Sequence, residues 1–158
     1  MIRTLPVGAD PRDELKCRLR FLQDVEIPLL QAEWGESGHL GMAALRAYSE
    51  RELRDIATLL TELTPPFLEL DPDEVVRFND CVTLHDQAEP AAEEMIVHDA
   101  SLIIRAPGFI SADSVLGVAV LGRQVGDLVR VDTRSGARTY VLRRIRRASG
   151  PANLQAIA

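Results

Sequence analysis

The front of the chain alternates apolar and polar positions with a helical period. Asp10 followed by Pro11 has the form of an N-cap with proline in the first turn. Leu15, Leu19, Leu22 and Leu29 then recur at spacings of three, four and seven, which predicts an amphipathic helix to about Trp34. Pro28 lies inside it, and because the apolar pattern resumes at Leu29 and Leu30, the proline is expected to bend the helix rather than end it. Gly35, Gly38 and Gly41 break the pattern. A second helix is predicted from about Met42 to Leu63, with Leu45, Tyr48, Leu53, Ile56, Leu60 and Leu63 on or near one face and Pro65-Pro66 as its stop. Two helices joined by a short glycine turn make an antiparallel hairpin, about 30 Å long for about 20 residues at 1.5 Å each.

Beyond the prolines the period changes to alternation. Cys81 to His85 and Glu94 to His98 read as strands, and Asp127 to Asp132 pairs through a turn at Arg134-Ser135-Gly136 with Arg138 to Leu142. Between them, Ser114 to Leu121 has the composition of a one- or two-turn helix ending at Gly122. The expected fold class is α+β, with a hairpin over residues 10–66, a linker over 67–76, a small antiparallel sheet with a covering helix over 77–147, and a fraying tail over 148–158.

Composition narrows this picture. At 158 residues with 46% hydrophobic but only 4% aromatic side chains, the core has to be aliphatic. No apolar run approaches the roughly 20 residues of a membrane span, and Cys17 and Cys81 form neither a CxxC pair nor a disulfide framework, so a cytoplasmic protein without a membrane role is expected. The formal charge of -6 hides an uneven distribution. Residues 71–100 hold nine acids against Arg77 alone, whereas residues 123–147 hold eight arginines against Asp127 and Asp132. A basic strip of that kind can hold phosphates, but alternating arginines on a solvated strand face are the plainer expectation, and the acidic total argues against duplex DNA binding as the main role.

Candidate chemistry is sparse. No glycine loop follows a strand to cradle a phosphate, no Gly-x-Ser-x-Gly elbow occurs, and His39, His85 and His98 are scattered. Cys81 and His85 are too few for a zinc site. Glu93-Glu94 and the Asp71, Asp73, Glu74 group read as solvated loop charge. No catalytic residue, metal ligand or cofactor is assigned.

Two longer patterns carry more. Ile110-Ser-Ala-Asp-Ser-Val-Leu-Gly-Val-Ala-Val-Leu-Gly-Arg-Gln-Val-Gly-Asp127 is similar to the signature Ile-Ser-x-x-Ser-Pro-x-x-x-Ala-Leu-x-Gly-Lys-x-x-Gly-Asp of the bacterial Gre family of transcript cleavage factors. Leu15-Lys16, Leu19, Leu22, Val25 and Pro28 fall at that family's front-helix spacings, and Gly38-His-Leu-Gly-Met-Ala-Ala44 stands in the place of its hairpin-tip motif Gly-Asp-Leu-Ser-Glu-Asn-Ala. The resemblance spans Leu15 to about Ile145, with residues 28–38 shorter by about a turn.

The resemblance implies an N-terminal coiled-coil hairpin and an FKBP-like C-terminal domain. It also implies RNA polymerase as partner, with the C-terminal domain docked on the rim of the secondary channel and the tip directed at the active centre, where two tip acids help hold a second magnesium ion. The tip here is Gly38, His39, Leu40, Gly41 and Met42, with imidazole and thioether where the acids belong, and both are poor magnesium ligands. Cleavage stimulation is therefore not expected unless Glu33 or Glu36 substitutes. Asp113, Ser114, Val115 and Leu116 match the docking segment, Val115 replacing a proline; core packing is the preferred account for most of Val115, Leu116, Val118 and Leu121, which leaves Asp113 the better contact candidate. Arg12, Lys16, Arg20, Arg46 and Arg54 are candidates to face RNA or template phosphates, with helix-surface ion pairing as the competing account.

The expected protein is a monomeric, polymerase-binding inhibitor of transcription that is not itself an enzyme. The alternatives are an active cleavage or anti-arrest factor, an FKBP-like prolyl isomerase, and a hairpin interaction module of the kind found in the regulator of nucleoside diphosphate kinase family.

Overall fold

In this computed structural model, residues 4–34 and 40–149 are described, Glu33, Trp34 and Leu40 by their backbone only. The front helix is wound in three pieces: α1 (Pro11–Phe21), a π-helical turn (Leu22–Glu26) and α2 (Ile27–Trp34). Asp10 caps α1 by accepting a hydrogen bond from the Arg12 N–H at 3.0 Å, with Pro11 in the first turn. Pro28 offers no N–H to the helix ladder, and its ring would collide with a carbonyl one turn back. The π-turn just before it inserts an extra residue, so the Ile27 N–H reaches back five positions to the Leu22 carbonyl. The bend expected at Pro28 thus takes the form of a local widening of the helix. α3 (Leu40–Glu62) returns antiparallel, pairing Arg18 with Glu52 and Glu26 with Ser49.

Among the described residues, seven strands follow the order β1-β4-β3-β7-β2, with β5 beside β4 and β6 beside β7. They are β1 (Leu5–Pro6), β2 (Phe67–Glu69), β3 (Cys81–Asp86), β4 (Glu93–His98), β5 (Phe109–Ser111), β6 (Leu128–Thr133) and β7 (Gly136–Ala148). All pairings are antiparallel except β4 with β5. The segment expected as a linker begins with β2, which pairs with the end of β7, and the expected tail begins with Ala148 inside β7 and Ser149, whose N–H donates to the Thr64 carbonyl at 2.8 Å. The β7–β2 edge of the sheet is therefore tied to the foot of the hairpin.

A bulge divides β7. Thr83 faces Arg144 while Leu84 faces Leu142, leaving Arg143 without an opposite residue. The extra residue shifts the alternation by one, so Leu142 and Ile145, three apart, point to the same side. On that side they join Val82, Leu84, Met95, Val97, Val129, Val131 and, from the short helix α4 (Val115–Val120), Leu116 and Val120. The other side of the sheet shares a core with the hairpin: Cys81, Ile96, Phe109 and Ala148 pack with Leu15, Leu22, Ile56, Leu59 and Leu63.

The same alternation sends Arg144 and Arg146 inward. The carboxylate of Glu94, fully buried, bonds Arg146 closely and Arg144 at 3.3 Å and accepts from the Gly8 N–H. Buried Asp80 takes a two-pronged bond from Arg147, at 2.8 Å each. Of Arg143, Arg144, Arg146 and Arg147, the last three are thus counter-ions to interior carboxylates, and Glu94, expected as solvated loop charge, is one of those carboxylates. Burial first, and then the Glu94 charge, pushes the Cys81 thiol up to about 12. Among the described residues no helix is long and apolar enough to cross a membrane.

Candidate functional site

The segment that carries the longer sequence pattern is a rigid turn between β5 and α4. Ser111 closes β5, and its hydroxyl donates to the Asp113 carboxylate at 2.5 Å. Ser114 caps α4: its hydroxyl accepts from the Gly117 N–H at 3.0 Å and donates to the Ser111 carbonyl at 2.6 Å. Gly117 is fixed by sterics, because a Cβ there would lie 2.2 Å from the Ser111 carbonyl oxygen. These contacts hold Asp113 exposed, and they turn Val115 and Val118 outward at 63% and 65% exposure. The structure separates two accounts that remained open in the sequence. Leu116, a candidate contact, is 3% exposed and packed on the sheet, so its side chain cannot reach a partner. Val115 and Val118, for which core packing was the preferred expectation, instead face solvent, because the cap at Ser114 orients α4 with Leu116 and Val120 on the sheet.

The tip candidates divide. Gly38 and His39, like Glu36, lie outside the described residues; Leu40 opens α3, and Gly41 and Met42 follow in its first turn, Gly41 exposed and Met42 half-buried. Arg12, Lys16 and Arg20 form one stripe at four-residue spacing on α1, but Lys16 stands 18 residues, about 27 Å, from the outer end of α2. Arg12 and Lys16 therefore belong to the foot of the hairpin. Arg12 is half-buried with its Nε lacking a hydrogen-bond partner, Arg20 and Arg54 are exposed, and Arg46 stands 3.9 Å from Glu50. The structure does not gather these five cations into one surface. Among the described residues no three His, Cys, Asp or Glu side chains converge as metal ligands.

Sequence reasoning missed a polar layer halfway up the hairpin. The face of α3 that packs on α1 and α2 is Ser49, Glu52, Ile56, Leu59 and Leu63, spaced by three and four. Tyr48, read as a face residue, is exposed, and Leu53 and Leu60 are half-buried at its margin. Glu52 has no exposed surface, and its carboxylate is shared by Arg18 at 2.9 Å and Arg105 at 2.7 Å. Glu26 accepts from Ser49 at 2.6 Å and pairs with Arg105 at 2.9 Å and Arg18 at 3.3 Å. Burial pushes the Glu26 carboxyl up, but the Ser49 hydroxyl and the charges of Arg105 and Arg18 outweigh it and hold the group below the usual carboxylate range. The available signal was the interruption of a three-four apolar rhythm by Ser49 and Glu52.

Residues 71–147 match the family model described as transcription elongation factor, GreA/GreB, C-terminal. Over 150 residues, 88% of this chain and 94% of the relative, the sequence is 27% identical to the transcription elongation factor GreA of Neorickettsia sennetsu. Among solved structures, GreA factor homolog 1 (Gfh1) of Thermus thermophilus aligns with a TM-score of 0.40 at 21% identity, covering 92% of this chain and 99% of that one. Gfh1 of Thermus aquaticus aligns at 0.42 and 23% identity, covering 85% and 88%.

Proposed function

Residues 71–147 make this chain a member of the Gre family of transcription elongation factors, and from that premise we propose that it binds bacterial RNA polymerase at the secondary channel and restrains transcription without stimulating transcript cleavage. The observation that carries this reading is the chemistry of the tip. Where the family motif has two acids, positions 39 and 42 are His39 and Met42. Magnesium takes hard oxygen donors and holds them in strict octahedral geometry. An imidazole and a thioether do not fit that demand, so no cleavage step is derived through the ion.

The base supports docking. Asp113, Ser114 and Val115 stand on a turn braced by three side-chain hydrogen bonds, which lowers the ordering cost of binding. Val118 extends the exposed apolar surface one helical turn further. A docked base carries a hairpin whose α3 alone is 23 residues, about 35 Å, long. A rod of that length acts as an obstruction, and obstruction needs no metal ligand.

The test is a gain of function. His39→Asp combined with Met42→Glu restores both acids, and stalled elongation complexes incubated with purified protein and magnesium are then scored for RNA shortening. The expected result is cleavage with the double variant and none with the natural chain. Cleavage by the natural chain would favour an active anti-arrest factor, with Glu33 or Glu36 supplying the missing oxygen donor. Loss of binding in Asp113→Ala, read by competition for polymerase, tests the docking segment.

A further inference from the structure

We propose that Arg105 is a positioning residue: it fastens the loop of residues 99–108 to the middle of the hairpin and thereby fixes where the hairpin's outer end points relative to the docking turn. The inference rests on the functional reading above only for its consequence, since the clamp itself is a matter of geometry. The loop runs along α3 and is tied to it at three successive places. Arg51 donates to the Ser101 carbonyl at 2.8 Å, the Ile103 N–H donates to Asp55 at 2.8 Å, and the Arg105 N–H donates to Glu52 at 2.6 Å. Arg105 then adds its side chain, with Nε on Glu52 at 2.7 Å, Nη2 on Glu26 at 2.9 Å and its guanidinium 4.9 Å from the centre of the Tyr48 ring. One side chain from the sheet domain therefore grips both helices of the hairpin. The same loop leads directly through β5 into the docking turn at Asp113.

The place of the grip matters more than its strength. Hydrophobic contact is non-directional, so the aliphatic core at the foot of the hairpin sets proximity but resists tilt weakly. A guanidinium fork on carboxylates is directional and holds an angle. Glu52 lies ten residues from Glu62, about 15 Å up α3, and Leu40 lies about 33 Å up it. A tilt about the foot that shifts the grip by 1 Å therefore shifts the outer end by about 2 Å, and a displacement of that order is enough to spoil a fit at a reacting centre. Arg18 also pairs with Glu52, so loss of the Arg105 side chain leaves the buried carboxylate with a counter-ion.

The test measures the angle itself. In a Cys17→Ser background, which removes the exposed native thiol and leaves Cys81 buried, spin labels are placed at Ala44→Cys on α3 and Asp132→Cys on β6. Pulsed electron-electron resonance then gives the distance distribution between hairpin and sheet domain. A single narrow distribution is expected with Arg105. Arg105→Gln is expected to broaden it, and Arg105→Lys to recover part of the loss. In transcription assays Arg105→Gln is expected to lower the maximal inhibition while the half-maximal concentration stays within about two-fold, because docking is untouched. A role in folding alone would instead reduce the active fraction, raising the apparent half-maximal concentration at an unchanged maximum. If the natural chain fails to inhibit, the functional reading fails and the distance arm still decides the clamp. An unchanged distribution in Arg105→Gln, or a broad one in the natural sequence, overturns the proposal. Should Arg105→Gln not fold, Arg105→Lys, which keeps the charge but not the fork shared by Glu52 and Glu26, is read by the same criterion.

Discussion

The two ends of the hairpin are built on different terms. At the foot, Leu15, Leu22, Ile56, Leu59 and Leu63 are fully enclosed and share a core with the sheet. Toward the outer end, Leu29 and Leu45 are about half exposed, and between the two regions lies the layer of Glu26, Ser49, Glu52, Arg18 and Arg105. Stability is thus concentrated where the helices meet the sheet domain, and the outer end is carried rather than self-supporting. A two-helix rod is marginal alone, since each helix can bury only one stripe. Its projecting half persists because the foot is anchored and the middle is braced.

The contrast makes a ranked set of expectations. Leu59→Ala should cost about 2–5 kcal/mol in denaturant unfolding, the range for emptying a fully buried leucine site. Glu52→Gln keeps the volume but removes the charge shared by Arg18 and Arg105, and should cost about 1.5–3 kcal/mol. Leu45→Ala, the same chemical change as at Leu59 but at the outer end, should cost less than about 1 kcal/mol; equal losses at 45 and 59 would erase the distinction between the two ends. The smallest effect concerns pH. The Glu26 carboxyl is held below its ordinary range, so its contribution is complete above that range and is lost as pH falls through it toward the lowered folded-state value. Melting temperature should therefore fall more steeply below about pH 4.5 in the natural chain than in Glu26→Gln, and parallel profiles would show that Glu26 gains nothing from the layer.

Much of this architecture was legible in the sequence, and the failures have identifiable causes. Helical spacing and the Asp10-Pro11 cap located the hairpin, and alternation located β3, β4 and the β6–β7 pair. Strands of two or three residues, β1, β2 and β5, are too short for any period to register. The inward turn of Arg144 and Arg146 was hidden because alternating arginines look solvated until Glu94 is seen opposite them, and strict alternation would set Leu142 and Ile145, three apart, on opposite faces, which only the bulge at Arg143 undoes. In the turn between β5 and α4, motif spacing marked Asp113, Ser114, Val115 and Leu116 as candidates alike and could not sort Leu116 from Val115, since both are aliphatic and only the orientation of α4 separates them. The clamp at Arg105 was invisible for another reason: its partners Glu26 and Glu52 are 79 and 53 residues away in the chain.

The central claim, a docked hairpin that obstructs without cleaving, is tested most directly by adding the purified natural chain to purified RNA polymerase and following promoter-directed synthesis and stalled-complex RNA in parallel. The account predicts falling synthesis with increasing protein while the stalled RNA keeps its full length. Shortened RNA, or synthesis unaffected at saturating protein, would contradict it.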